Sequence, residues 1–470
     1  MRRKIQVFHP VNQELFAFLL LVGLVSFSGM LITLFGSSIA TAPTYKVVLV
    51  LFISIPALLI LFLGRRGIDI GVFGWILTLG LGYRTLALTP LLSIHPAEIL
   101  IWGMAVVQLV LNLMSRYSHE RIWVPAWLIP LLLFLVWGCF LAFISGYRWD
   151  AVLSEMKNFL VLFPIYLVIN LFLRSPRRWR WLVLTFFLVG TWVAALGITE
   201  YMFPDLTTPF AAYFGSTSTS QLASDFGFVR ATFSFWGSPD AVFILVLALP
   251  LAIAIWQWWK MFFVNGLVLV ASLLMLVGIY ISGHRDAWLM SGAILLLWLI
   301  IERKWLLVFL SMIMVPFFYT LLPQSARDRL NSVSLLVQGK AVDSSGVERW
   351  SRMIGALAKI QMRPWGWGWT AAGWVHSDFL QISVNLGILA GLFFIAVYLI
   401  ILFDLGHQIH SPFRERDLAV LAVPLFLSFF VVGAIFLMEA MIVLPQLVLP
   451  LWFIWVLSDI WRRRASTGVA

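Results

Sequence analysis

Charged residues are scarce in this chain of 470 residues. They make up 11% of it, against roughly a quarter in soluble domains, while hydrophobic residues make up 62%. The one cysteine, Cys139, lies inside an apolar run, which excludes a disulfide framework and a thiolate metal site. No small-residue cleavage site follows the basic N-terminus, and no strong internal repeat suggests duplicated transporter halves. The composition therefore excludes a soluble enzyme and predicts an all-α polytopic membrane protein.

Apolar runs recur along the whole chain, each long enough to cross about 30 Å of hydrocarbon. We predict fourteen spans: 14–36, 44–63, 68–82, 97–114, 123–145, 157–173, 180–203, 238–259, 261–281, 287–301, 305–322, 379–403, 417–437 and 440–461. Because 68–82 and 287–301 are short, the expectation is about 12 to 14 transmembrane helices in a single domain, 1–470. Two polar loops interrupt them, at 204–237 and 323–378.

The distribution of lysine and arginine predicts the orientation, because basic loops stay cytoplasmic. With the N-terminus inside, 19 of the 32 basic residues fall on the cytoplasmic side, and both termini lie there. The long loop 323–378 is then exposed on the periplasmic side. Most of the net charge of +11 is explained by this anchoring, so it does not indicate a nucleic-acid partner.

Four arginines in or near the outer loops have two interpretations each. Arg230 lies among aromatic residues near a helix entrance, where it either extends to the interface or binds a ligand. Arg285 lies in the tight turn 282–286, whose charges either cap helices or bind phosphate through the planar guanidinium. Arg349 and Arg352 lie in the long loop 323–378, on the basic face of the helix described next.

Residues 348–363 have the periodicity of an amphipathic helix at a membrane interface. One narrow face is basic: Arg349, Arg352, Lys359 and Arg363. The adjacent face is apolar and includes Trp350, and Glu348 can pair with Arg352 four residues on. The basic face binds either anionic headgroups or the phosphates of a lipid carrier.

His376 follows this helix at the start of an apolar span. A lone histidine is usually structural, but an imidazole is also the side chain best suited to take a proton from a hydroxyl near neutral pH. Outer-side residues contain no Asp-x-Asp pair, so nothing in the sequence requires a divalent metal, and we expect no cofactor.

Four segments between Arg230 and Gly391 have a combination of motifs in a recognisable order. They are Arg230-Ala231-Thr232-Phe233 with Ser238-Pro239-Asp240-Ala241, Gly283-His284-Arg285-Asp286-Ala287-Trp288, the helix at 348–363 with its Pro/Gly turn, and His376-Ser377-Asp378-Phe379-Leu380-Gln381 with Asn385-Leu386-Gly387. This set resembles the bacterial O-antigen ligase and O-antigen polymerase superfamily. The chain departs from the family at Asp240, His284, Asp286, Ser377 and Asn385.

The resemblance implies a metal-independent, inverting glycosyltransferase of the GT-C type in the bacterial inner membrane. It would transfer a glycan from undecaprenyl pyrophosphate to another lipid-linked glycan or a lipid A-core acceptor on the periplasmic side. His376 would be the general base, and Arg230, Arg285, Arg352 and Arg349 would bind the pyrophosphate. Asp378 and Asp240 are candidates for orienting the acceptor.

The main alternative is a transporter or flippase for lipid-linked saccharides, and a non-catalytic assembly protein is a third. A translocator should carry ionisable residues along a path through its spans. Here charged residues are almost absent from the middle of the spans, and the polar residues collect on one side of the membrane, which favours the enzyme. Membrane lipids are the remaining expected partners.

Overall fold

A computed structural model describes residues 65–80, 86–87, 93–114, 125, 127–173, 176–203, 221–223, 229–231, 241–337, 344–409, 416–439, 441 and 444–467. The predicted spans 14–36 and 44–63, most of the loop 204–237, and Asp240 lie outside these residues. The number of spans therefore stays a prediction.

Helices dominate the described residues, which confirms the predicted all-α membrane protein. In the first half they are α1 (Arg65–Thr78), α2 (Pro96–Met114), α3 (Leu128–Ile144), α4 (Trp149–Leu160), α5 (Leu162–Phe172), α6 (Pro176–Met202), α7 (Val242–Ala248) and α8 (Leu251–Trp258). Two small antiparallel hairpins accompany them, β1 (Leu86–Ala87) with β2 (Ser93–Ile94) and β3 (Gln221–Ala223) with β4 (Val229–Ala231).

The second half is also helical. It contains α9 (Phe262–Ile281), α10 (Arg285–Ile301), α11 (Trp305–Leu321), α12 (Gln324–Val337), α13 (Ser344–Met362), α14 (Asp378–Leu386), α15 (Ile388–Gln408), α16 (Arg416–Ala419), α17 (Ala422–Met438) and α18 (Pro445–Thr467). The amphipathic helix predicted at 348–363 is α13.

By length and composition, four helical stretches of the described residues can cross a membrane: Trp149–Phe172, Arg177–Met202, Phe262–Ile281 and Ile388–Gln408. Shorter apolar helices of 10–17 residues accompany them. Phe262 and Phe263 on α9, like Leu306 on α11, expose large apolar side chains, as expected of surfaces that face lipid.

Two predicted spans are interrupted. The span 238–259 is divided by Pro250, which has no N–H to continue the helical hydrogen bonds. The span 379–403 is divided by Gly387, whose φ of 100° is open to glycine but strained for other residues. After this break the N–H of Ile388 donates to the carbonyl of Pro364 at 2.8 Å, so α15 begins against the preceding loop.

The centre of the bundle is α18, which is buried on all sides from Leu447 to Trp461. Aromatic rings of neighbouring helices pack on it: Phe394 of α15 stacks on Trp455 at 5.2 Å, and Phe436 of α17 contacts Trp452 at 5.8 Å. Phe379, three residues after His376, contacts both phenylalanines. The start of α14 is thereby fixed to the core.

The turn 364–369 crosses α3 at backbone distance. The side chain of Trp137 donates to the carbonyl of Trp365 at 2.9 Å, and Trp369 is buried and donates to the carbonyl of Leu135 at 3.3 Å. A Cβ on Gly368, where φ is 96°, would lie 2.5 Å from the nitrogen of Ala142. This turn requires glycine for both conformation and space, and it sets the position of the segment that leads to His376.

We predict that Gly368→Ala lowers the free energy of unfolding by more than about 1 kcal/mol, because the methyl group is strained and collides with the α3 backbone. The control is Gly355→Ala on α13, where a Cβ meets open space and alanine should be neutral or stabilise by about 0.5–1 kcal/mol. Apparent melting temperatures of the detergent-purified variants measure the effect. Equal melting temperatures for the two variants would contradict the assigned role of the turn.

Candidate functional site

Four segments that are far apart in the chain meet at one end of the bundle. They are the start of α10 with Asp286, the helix α13 with Arg349, the segment 374–378 with His376, and Glu439, the residue after α17. The topology predicted from the sequence puts all four on the same side of the membrane. Their direct contacts are consistent with that requirement.

Glu439 is the common partner in this cluster. Its side chain is only 3% exposed; Oε1 lies 2.7 Å from a guanidinium nitrogen of Arg349, and Oε2 lies 3.3 Å from Nδ1 of His376. A buried carboxylate is costly unless cations and hydrogen bonds compensate its charge. The arginine provides that charge, and the imidazole provides a ring nitrogen.

Arg349 also contacts the carboxylate of Asp286 at 2.9 Å, so one guanidinium bridges two acidic residues. Burial would raise the pKa of the Asp286 carboxyl, but His284 and Arg349 together hold that pKa below its usual range. His284 is buried at the N-cap of α10, with its two ring nitrogens 3.8 Å from Asp286 and 4.0 Å from Glu439. Asp286 itself lies in the first turn and is not the cap.

His284, Asp286 and Glu439 could in principle hold a metal ion, since one ligand atom of each lies within 4.8 Å of the others. The same two carboxylates, however, already bond to Arg349. The positive charge between them is thus supplied by the guanidinium, and an ion would have to displace it. These residues fit an ionic network better than a metal centre.

The start of α14 fixes the position of His376. Ser377 caps the helix by accepting from the N–H of Leu380, and its hydroxyl donates to the carbonyl of Phe436 at 3.3 Å. Asp378 is fully buried and accepts from the N–H of Met441 at 3.1 Å. Ser377 thus has a capping role, and Asp378 is positioned to orient the turn that carries Glu439. The His376 side chain, just before these two residues, is 16% exposed.

The basic side chains of α13 point in different directions. Arg349 points into the cluster, whereas Arg352 pairs with Glu348, as predicted, and donates to the carbonyl of Trp374 at 3.2 Å. Lys359 donates to the carbonyl of Ala371 at 2.7 Å. Both side chains therefore lie over the segment that leads to His376. Arg352 remains 40% exposed and can be reached from solvent.

The apolar face predicted for α13 divides into two. Ala356 and Ile360 are buried in a small core with Val375 and Val384. Trp350, at 59%, is the most exposed member of the other half, which forms a stripe along the helix: Val347, Trp350, Ile354 and Leu357. The helix thus packs on α14 through one side and leaves an apolar stripe exposed, as an interfacial helix does.

The remaining candidate residues are placed less completely. Arg285 is the first residue of α10 and is half-buried, next to Asp286 in the chain. Arg230 lies in strand β4 opposite Leu222, and its side chain lies outside the described residues, as does Asp240. The contacts bring Arg349 and His376 together through Glu439 and place Arg352 at the rim of the cluster.

Asn385 connects the glycine turn to α4. Its amide nitrogen donates to Glu155 at 2.9 Å, and its amide oxygen accepts from the N–H of Ala372 at 2.9 Å. The same Glu155 oxygen also accepts from the N–H of Thr370 at 3.1 Å. Asn385 is one of the positions at which the chain departs from the motif that it resembles. Because Glu155 already supplies a carboxylate opposite, a second one would face it directly.

Glu439 and His284 were not among the residues predicted for the site. The signal for Glu439 was available, because it is a lone acidic residue between two apolar spans and such residues mark functional positions in membrane proteins. Its partner His376 lies 63 residues earlier, however, and no local motif connects the two. Only the packing of α14 against α17 reveals the pair.

Comparison with known protein families gives a match in the second half of the chain. Residues 270–395, about a quarter of the chain, match a family model described as O-antigen ligase. The matched region includes Arg285, Arg349, Arg352 and His376 and ends before Glu439. No curated protein matches the chain.

We predict that Asn385→Asp destabilises the protein by about 2 kcal/mol or more, because two carboxylates would then face each other in a buried position. Adding Glu155→Gln should restore most of this loss, since the glutamine amide can donate to the new aspartate. Melting temperatures of wild type, both single variants and the double variant form the test. A double variant no more stable than Asn385→Asp alone would mean that the two residues are not coupled.

Proposed function

We propose, from the match of residues 270–395 to the O-antigen ligase family model, that the protein is a membrane-embedded glycosyltransferase. It transfers a glycan from undecaprenyl pyrophosphate to an acceptor sugar at the periplasmic face of the inner membrane. The acceptor is either the lipid A-core, as in a ligase, or a second lipid-linked glycan, as in a polymerase. The observation that carries the proposal is the partly exposed His376 imidazole, held against a buried carboxylate beside Arg349.

His376 acts as the general base. Its ring nitrogen takes the proton of the acceptor hydroxyl while the hydroxyl oxygen attacks C1 of the donor sugar. The bond between C1 and the pyrophosphate oxygen breaks, and undecaprenyl pyrophosphate leaves with the electron pair. Attack opposite the leaving group inverts the configuration at C1. The histidine gains one proton and the leaving group one negative charge, so the step is balanced.

Fixed positive charge stabilises the pyrophosphate as it leaves. Arg285, at the N-terminus of α10, and Arg352, exposed beside Trp374, are assigned this role together with Arg230. A helix N-terminus favours anions as well, which adds to the effect of Arg285. Arg349 is already engaged by two carboxylates and would have to leave them before it could bind the donor.

A transporter of lipid-linked saccharides fits the ionic contacts less well. Translocation calls for ionisable groups along a path through the membrane. Among the described residues, the cluster around Glu439 lies at a helix end and includes the partly exposed His376. Arg462 pairs with Asp459 near the end of α18, and Lys157, within the stretch Trp149–Phe172, pairs with Glu98 at the start of α2. The partly exposed histidine of the first cluster favours the enzyme.

We predict that His376→Ala reduces glycan transfer by about two to four orders of magnitude, the usual contribution of a general base. Binding of the lipid-linked donor and the melting temperature should change little, because the imidazole is at the edge of the core. The control is His407→Ala, an exposed histidine in the last turn of α15, which should retain full activity. Transfer is measured in vitro with purified lipid-linked donor. Near-wild-type transfer by His376→Ala would remove this residue from the mechanism.

We also predict that Arg285→Lys is strongly impaired and that Arg285→Ala is nearly inactive. A lysine provides a point charge, whereas paired phosphate oxygens match the planar fork of arginine. Arg177→Lys, an exposed arginine in the first turn of α6, serves as the control. If Arg285 only extends to the membrane interface, lysine will serve as well, and full transfer by Arg285→Lys would support that interpretation.

A further inference from the structure

We propose that Glu439 is a positioning residue that holds the His376 imidazole in the tautomer and charge environment of a general base. The inference rests on the proposed function for its consequence in catalysis. Its physical content is the contact between two side chains, and it can be measured in the protein without any substrate.

The geometry determines which ring nitrogen carries the proton. The guanidinium of Arg349 lies 2.7 Å from Oε1 of Glu439, and a cation at that distance favours the charged form of a carboxyl. An ionised carboxylate only accepts hydrogen bonds, so Nδ1 of His376, 3.3 Å from Oε2, must be the donor. The neutral imidazole then has its lone pair on Nε2, the nitrogen that can accept a proton from a hydroxyl.

The same contact stabilises the product of the proton transfer. When Nε2 accepts a proton the imidazole becomes a cation, and the adjacent carboxylate compensates the new charge. Glu439 neither gains nor loses a proton in this step. At 3% exposure it does not reach the substrate itself, so its effect passes through the histidine.

The groups around His376 carry charges of both signs. The anionic groups on the packed elements are Glu439 after α17, Asp286 on α10 and Asp378 on α14; the cationic groups are Arg349 and Arg352 on α13, and His284 lies before α10. Oε2 of Glu439 lies 3.3 Å from Nδ1 of the imidazole, so the charge of this carboxylate acts directly on the protonation of His376.

Two variants should shift this protonation in opposite directions. Glu439→Gln removes the adjacent anion and leaves Arg349 with the carboxylate of Asp286, so the imidazolium is disfavoured and the pKa of His376 falls. Arg349→Gln removes the cation and leaves the carboxylate, so the pKa rises. If Glu439 only supports the fold, both variants loosen the segment 374–378 and move the pKa the same way, toward the value of an exposed histidine.

The test is the pH dependence of carbethoxylation by diethyl pyrocarbonate, which modifies only the neutral imidazole, followed for the His376 peptide by mass spectrometry. We expect Glu439→Gln to lower the pH of half-maximal reactivity by about one pH unit and Arg349→Gln to raise it, since an adjacent charge shifts a pKa by one unit or more. Glu302→Gln, the same change at an exposed residue at the end of α10, should leave it unchanged. Shifts of one sign in both variants, or none, would overturn the proposal.

A second measurement connects the pair to transfer. Glu439→Gln should lower kcat for glycan transfer by about two to four orders of magnitude and move the acid limb of kcat/KM to lower pH. If wild type transfers no glycan but the opposite reactivity shifts are observed, the proposed function fails and the positioning pair stands. If wild type is active and the acid limb of Glu439→Gln is unmoved, Glu439 is structural only.

Discussion

The ion pair between the half-buried Arg349 and the buried Glu439 is the contact on which the arrangement of the site depends. Taking charges out of water costs several kcal/mol for each ion, and only close opposite charges and hydrogen bonds compensate that cost. Arg349 meets two carboxylates, and Glu439 meets an arginine and a histidine. The long loop, the start of α10 and the end of α17 are therefore held together, since separating any of them leaves a buried charge without compensation.

The membrane imposes a second constraint, through the backbone. Polar backbone groups near hydrocarbon need partners within the protein. Where α14 and α15 are interrupted at Gly387, the N–H of Ile388 bonds to Pro364, and Trp367 and Gly368 donate to the carbonyls of Val384 and Asn385. The irregular turn and the broken helix thus satisfy each other's hydrogen bonds. Polar contacts fix the loop in place as much as apolar packing does.

The sequence predicted what depends on local periodicity and composition. Span 261–281 corresponds to α9 within one residue, and the amphipathic helix and its Glu348–Arg352 pair were both predicted. The break at Gly387 was missed because one glycine in an apolar run does not reveal a left-handed φ. Glu439 was missed for a different reason. A hydropathy pattern reveals an acidic residue between two spans, but it does not reveal which side chain that residue contacts. Which basic residue of α13 turns inward, Arg349 and not Arg352, was likewise decided by partners distant in the chain.

The order of these partners along the chain has a consequence for biosynthesis. Asp286, Arg349 and His376 are translated before Glu439, and α18, which is buried on all sides from Leu447 to Trp461, is translated after it. A nascent chain that has inserted only as far as α15 holds an arginine and a histidine whose shared carboxylate does not yet exist. The ionic network closes only after α17 and Glu439 have been inserted. A partly inserted chain therefore holds Arg349 without one of the two carboxylates that compensate its charge.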